Sequence, residues 1–259
     1  MTATRHSPPP AAVNQYWHDP EIPDEIEELF AAVRAENRVL GHRVFNEKTA
    51  ATLIEQRLSA REAAAFSSCA VPAMQADYFR YCVVYALGGV YCDADLVVSG
   101  SFRSLLETDG EIFQTRLADL CRNDVFAFRA PGHPLLRMAI DIATTGIEAR
   151  FCEDIPLVTG PWIFSRLVAI RRLGSLEAFA AQMEGMTSSM PAGKRAEMLR
   201  HLEIVYTTVG DYRRVVDAFD GVRISPARKL HAIAGGHKPG LRYKETETHY
   251  GSWTASIYR

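Results

Sequence analysis

Two aspartates one residue apart, Asp93 and Asp95, interrupt an otherwise apolar run, VYCDADLVV, that starts beside the Gly88–Gly89 pair. Alternate side chains of an extended strand share a face, so this spacing predicts that Asp93 and Asp95 project together while Cys92, Ala94 and Leu96 face away. Side by side without a cation, the carboxylates repel and one is driven toward its protonated form. A divalent metal removes that conflict. Hard oxygen ligands suit Mn²⁺ or Mg²⁺, ions that use one or two protein carboxylates and fill their remaining positions with phosphate oxygens and water. The expected cofactor is therefore Mn²⁺ or Mg²⁺.

The segment before the aspartates carries the clearest helix signals in the chain. Pro72 stands at the first turn, Gly88 just past the end, and the run between is mostly apolar. Its two charged residues, Asp77 and Arg80, are three apart and share one face, close enough to pair or to act on a common ligand. The pattern is helix, glycine turn, strand, and ligands of open α/β sheets collect at strand ends.

Other elements must hold this centre in place. A strand is expected near Val13–Trp17, a helix over Pro23–Glu36 with Ile26, Leu29, Phe30 and Val33 at helical spacing, and a strand at His42–Phe45. Two short helices are expected over 48–66, strands at 111–116 and 124–128, and helices at about 133–147 and 161–171. Amphipathic segments at 175–184 and 191–202 precede an expected strand at Glu203–Val209, and the last thirty residues read as irregular. Strands alternating with helices imply an α/β fold with a mainly parallel sheet covered on both faces. Residues 1–11 read as a disordered leader and 12–259 as one domain.

With 47% hydrophobic and 23% charged residues, the composition is that of an ordinary folded domain. A net charge of -2 provides no global basic field, so no nucleic-acid partner is expected. The five cysteines, 69, 82, 92, 121 and 152, form no Cys-x-x-Cys pair and read as buried free thiols in a reducing compartment. There is no signal-peptide h-region and no run of eighteen apolar residues, so a cytoplasmic location without a transmembrane segment is expected, with peripheral membrane association left open.

The stretch AVPAMQADYFRYCVVYALGGVYCDADLVV resembles the signature of the DXD-motif sugar transferases. That family includes the fungal initiating α-1,6-mannosyltransferase, inositol-phosphoceramide mannosyltransferases and bacterial capsule and lipopolysaccharide enzymes; the large glucosylating toxins are more distantly similar. The matching pattern is Ala76-Asp77, Arg80-Tyr81, then Gly88-Gly89, Tyr91, Asp93 and Asp95. Asn14, Gln15 and Trp17 stand where the family has His-Gln-x-Trp; Asn123, Thr159–Pro161 and HYGSW at His249–Trp253 resemble further family segments.

The resemblance implies a GT-A type, Rossmann-like α/β/α sandwich. It also implies a nucleotide-sugar donor, GDP-mannose or a UDP-hexose, whose hexose passes with retention to a glycan, lipid or protein acceptor. Asp95 would be the principal metal ligand, Asp93 would serve metal and donor, and His249 or Ser252 would add a ligand. Asp77 and Arg80 would hold donor sugar and phosphate, and the catalytic set would be Asp77, Arg80 and Asp93. Donor contacts would also come from Gln15, Trp17, Gly89, Tyr91, Asn123, Ser252 and Trp253, with a tail over 235–259 folding across the donor.

From the residues alone, Trp17 is open between core packing and base stacking. Lys238, Arg242 and Lys244 read as surface charge, with neutralisation of a diphosphate as the alternative. A non-catalytic carbohydrate-binding protein and another metal-dependent phosphoryl-transfer enzyme are the rival classes.

Overall fold

The computed structural model describes residues 11–115, 120–245 and 253–259. The leader expected over 1–11 therefore lies, except for Ala11, outside the described residues. Strand β1 (Ala12–Tyr16) leads to helix α1 (Asp24–Glu36), which buries Ile26, Leu29, Phe30 and Val33 and keeps three acidic residues in its first turn, where the helix dipole favours them. Strand β2 (Gly41–Phe45) is followed by α2 (Glu47–Arg57) and α3 (Ala60–Ser68). Asn46 and Thr49 close α2 with a reciprocal capping box. Helix α4 (Pro72–Leu87) then delivers the chain to β3 (Gly89–Cys92), β4 (Leu96–Val98), β5 (Gly110–Gln114) and β6 (Cys121–Phe128).

A helical region follows: α5 (Pro134–Ala149), α6 (Ile155–Val158), α7 (Trp162–Leu173), α8 (Leu176–Thr187), α9 (Ala192–Val209) and α10 (Tyr212–Ala218). Strands β7 (Val222–Pro226) and β8 (Ala234–His237) come last. The strand expected at 203–209 is instead the second half of α9. Leu202, Val205 and Val209 recur at three- and four-residue intervals and are all buried, so tertiary packing of a helical face overrides the β-branched composition. The tail expected to be irregular contributes β8 and short 3₁₀ turns.

The main sheet has the order β2-β1-β3-β6-β5-β7. Pairings β1–β2, β1–β3 and β5–β7 are parallel, whereas β6 runs antiparallel to both its neighbours. The expected α/β architecture with a mostly parallel sheet is what the structure has. Side chains alternate between its two faces: Tyr91, Phe126 and Phe128 join the larger core with α4, α5 and α7, while Val90, Cys92, Val125 and Ala127 join a smaller core with Val33 of α1. Strands β4 and β8 form a separate antiparallel pair. All five cysteines are buried free thiols, as expected.

Candidate functional site

Two glycines set the geometry of the centre. Gly88 ends α4 at φ 67° and Gly89 continues at φ 95°, backbone conformations that side chains disfavour. A methyl group on Gly89 would lie 2.3 Å from the Ala12 carbonyl oxygen, so only glycine lets β3 run this tightly against β1. Asn14 locks the turn, its amide donating to the carbonyls of Gly88 at 3.2 Å and Val90 at 3.1 Å. Gln15 donates to the Asp93 carbonyl at 3.2 Å and is itself paired with His42 at 2.7 Å. Both side chains are fully buried and hold backbone rather than facing the cavity.

The expectation that Asp93 and Asp95 share one face of a continuous strand is corrected here. Strand β3 stops at Cys92, and residues 93–95 form a turn pinned by Asp93 N–H to Asp124 O at 2.9 Å and Leu96 N–H to Asp93 O. The turn carries the chain from the main sheet into the β4–β8 pair, where Leu96 faces His237 and Lys238 N–H donates to Asp95 O at 2.8 Å. Even so, the turn unites the carboxylates, and it adds a histidine: ligand atoms of Asp93, Asp95 and His237 lie within 4.8 Å of one another.

These residues line a cavity of about 580 Å³. Its charged wall includes Asp77, Arg80, Asp124 and Lys244; its apolar wall includes Ala73, Ile155 and Pro156; and Trp17 borders it. The Trp17 indole N–H is tied to the Glu21 carbonyl at 3.2 Å. The Arg80 guanidinium lies 2.8 Å from Asp77 and 3.0 Å from Asp93, over the ring of buried Tyr91. Asn123 donates to Asp77 at 3.1 Å. On the opposite side of the turn, His237 Nδ1 is 2.6 Å and Lys244 Nζ 2.7 Å from Asp95, and His237 Nε2 is 3.5 Å from Asp124. Arg122 in turn grips Asp124 with two guanidinium nitrogens.

The two motif carboxylates are driven apart electrostatically. Burial pushes Asp93 up to about 7 despite Arg80, with the charges of Asp95 and Asp124 adding to the rise. Burial also works against ionised Asp95, but the hydrogen bonds and charges of His237 and Lys244 outweigh it and hold Asp95 well below the usual carboxylate range. The Asp95 hydrogen bond raises His237 against its own desolvation. Burial raises Asp77, with Arg80 and Asn123 opposing. A donor set of two carboxylate oxygens and one imidazole fits Mn²⁺, and Mg²⁺ less closely because of the nitrogen.

Of the residues expected at the site, Trp17, Asp77, Arg80, Asp93, Asp95 and Asn123 border the cavity. Gln15, Gly89 and Tyr91 stand behind its wall. Trp253 packs against the larger core, with its indole N–H on the Ser256 carbonyl, and does not line the cavity. His249 and Ser252 lie outside the described residues. Lys244, expected at the surface, pairs with Asp95, whereas Lys238 and Arg242 face Glu28 and Glu25 on α1. His237, Asp124 and Arg122 were not anticipated as site residues, and Lys244 only as the alternative to surface charge. Asp124 directly follows Arg122 and Asn123 and opens the apolar run VFAF, a weaker signal than that of Asp93; nothing in the sequence distinguished His237.

Residues 23–111 match the family described as a glycosyltransferase sugar-binding region containing a DXD motif. Comparison with curated proteins returned no match. Among solved structures the chain is similar to one titled PaToxG Glycosyltransferase, at 16% identity and a TM-score of 0.49, over 81% of this chain and 89% of that one. The matched stretch spans α1, the α4 face with Asp77 and Arg80, the Gly88–Gly89 turn and the paired aspartates, so over these residues the chain is similar to the sugar-binding region of DXD-motif glycosyltransferases.

Proposed function

We propose that this protein is a glycosyltransferase that moves a hexose, of mannose, glucose or galactose type, from a nucleoside diphosphate sugar to a hydroxyl of a glycan, lipid or protein, using Mn²⁺ or Mg²⁺ held by Asp93, Asp95 and His237. The observation that carries this reading is the convergence of those three ligand groups at the charged wall of a cavity large enough for a nucleotide-sugar. The bound cation supplies charge neutralisation for the diphosphate that leaves. Arg80, saturated by Asp77 and Asp93, opposes the burial that disfavours their charged forms and orients both carboxylates, and Asp77 presents its remaining acceptor capacity to the donor sugar. Trp17 offers a ring edge or face to the base. The segment beyond residue 235, expected to fold across the donor, reaches the site through His237 and Lys244, which supports a closing role for it.

Transfer with retention follows by front-face attack of the acceptor. Double displacement requires a free carboxylate beneath the anomeric carbon. Among the described residues, those at the cavity are already committed: Asp93 and Asp95 to the cation, Asp77 to Arg80 and Asn123, and Asp124 to Arg122.

The test is nucleoside diphosphate release from GDP-mannose, UDP-glucose and UDP-galactose with Mn²⁺, Mg²⁺ or chelator. Metal-dependent release from one donor is the expected result. Thermal stabilisation by sugar without release would instead mark a binding protein, and phosphate release from nucleotides lacking sugar would mark a phosphoryl-transfer enzyme.

A further inference from the structure

Resting on the proposed cation site, we infer that Asp124 is a positioning residue that fixes the tautomer and ring angle of His237, forming a carboxylate–imidazole–metal relay. Three observations on two strands converge on this. Strand β8 brings His237 to the DXD turn with Nδ1 toward Asp95 and the pair Asp93–Asp95, and Nε2 toward Asp124 at 3.5 Å. Asp124 is buried on β6, and its own carbonyl accepts the N–H of Asp93, so the ligand turn and the relay carboxylate are fastened to the same backbone. Arg122, two residues back on the same strand face, holds the Asp124 carboxylate with a forked contact, which keeps it stationary.

The two imidazole nitrogens are chemically distinct, and the hydrogen bond made by one decides what the other can do. Carboxylates face both nitrogens, Asp95 at Nδ1 and Asp124 at Nε2; a cation bound between Asp93 and Asp95 would displace the proton from Nδ1, and Asp124 would hold the remaining proton at Nε2. Nδ1 then presents its lone pair to the space it shares with Asp93 and Asp95. A small closing movement brings Nε2–H into full hydrogen-bond range of Asp124. Such outer carboxylates set ligand orientation and basicity, and their loss commonly costs 10- to 100-fold in metal affinity. His237 stands on a short two-stranded pair with a half-exposed side chain, so Asp124 supplies an orientation that packing alone does not.

The test uses the whole protein loaded with Mn²⁺ alone, read by titration and by pulsed electron paramagnetic resonance of the ¹⁴N coupling. The wild type should show imidazole ¹⁴N modulation that His237→Gln abolishes. Asp124→Asn should weaken Mn²⁺ binding by about 10- to 100-fold and alter the ¹⁴N quadrupole pattern, which senses the N–H bond of the distal ring nitrogen. Arg122→Gln, which leaves the carboxylate but frees it, should shift affinity in the same direction by less, and it serves if Asp124→Asn does not fold. Wild-type affinity and an unchanged ¹⁴N pattern in either folded variant would overturn the relay. Mn²⁺ binding without any ¹⁴N modulation in the wild type would also overturn it while leaving the carboxylate site and the transferase reading standing; absence of metal-dependent donor cleavage would defeat that reading separately.

Discussion

The DXD region and the α7–α9 region each bury an arginine and each also hold a tryptophan and a histidine, yet they use these residues differently. At the cavity, Arg80 is clamped between Asp77 and Asp93, and His237 is raised by its bond to Asp95. Between α7, α8 and α9, Arg166 touches the sulfurs of Met183 and Met198 at 3.0 and 3.2 Å and lies 4.5 Å from the Trp162 ring centroid. No carboxylate pairs with it among the described residues. His201, stacked on Phe151, is lowered to about 3 by burial and by the Arg166 charge. Carboxylates therefore separate the two regions: where they are present, basic groups balance charge at a ligand site, and where they are absent, the same groups serve as packing.

The largest effect that could break this comparison is on turnover. Asp95→Asn keeps the shape but removes the charge facing His237 and Lys244, and loss of a catalytic cation costs several kcal/mol, on the order of a 10³-fold fall in rate. Steady-state assays with Mn²⁺ check it, with circular dichroism confirming the fold; undiminished turnover would remove Asp95 from the metal site. Next comes stability. Arg80→Met leaves two buried carboxylates without their cation and should cost about 3–5 kcal/mol in denaturant unfolding, whereas Arg166→Met orphans no charge and should stay within about 1 kcal/mol of wild type. Equal losses in the two variants would erase the distinction.

The tryptophans sharpen it further. Trp17→Ala should raise the donor KM by the equivalent of about 1–3 kcal/mol through lost base stacking, while Trp162→Ala should lower the melting temperature with little change in KM. An unchanged KM in folded Trp17→Ala would return that residue to the core. The smallest effect is on acid stability. Because the folded-state value of His201 lies below its unfolded one, the unfolded chain binds the extra proton between about pH 6.5 and 3, and stability falls as pH falls through that window by at most about 1.4 kcal/mol per unit. His201→Phe should flatten this slope in urea midpoints measured from pH 7 to pH 4; an unaltered slope would show that the histidine titrates as if exposed.

Much of the DXD centre was legible because its signals are local. Pro72 and Gly88 bracket α4, the spacing of Asp77 and Arg80 sets one helical face, and Gly88–Gly89 announces a turn that other residues cannot make. The partners that complete the site were not legible. His237 lies 142 residues from Asp95 in sequence and arrives through β8, whose residues carry no strand pattern of their own. Likewise, alternation in β6 announces a strand but not its direction, and its antiparallel course is what sets Asn123 against Asp77 and Asp124 against His237. In α9, Ile204, Val205, Thr207 and Val209 favour extended structure locally, and only packing against the core decides for helix.

The burial of all five cysteines has a practical consequence. Desolvation raises Cys69, Cys82, Cys92 and Cys152, and Cys121 is buried as well, so the native surface offers no thiolate to an alkylating reagent. The folded wild-type chain is therefore expected to resist labelling by maleimides. A sulfhydryl introduced by Lys238→Cys, at a half-exposed position one residue beyond His237, would then be the accessible labelling handle on the folded protein, and a spin label or fluorophore attached there could report on the cavity mouth without any native cysteine having to be removed.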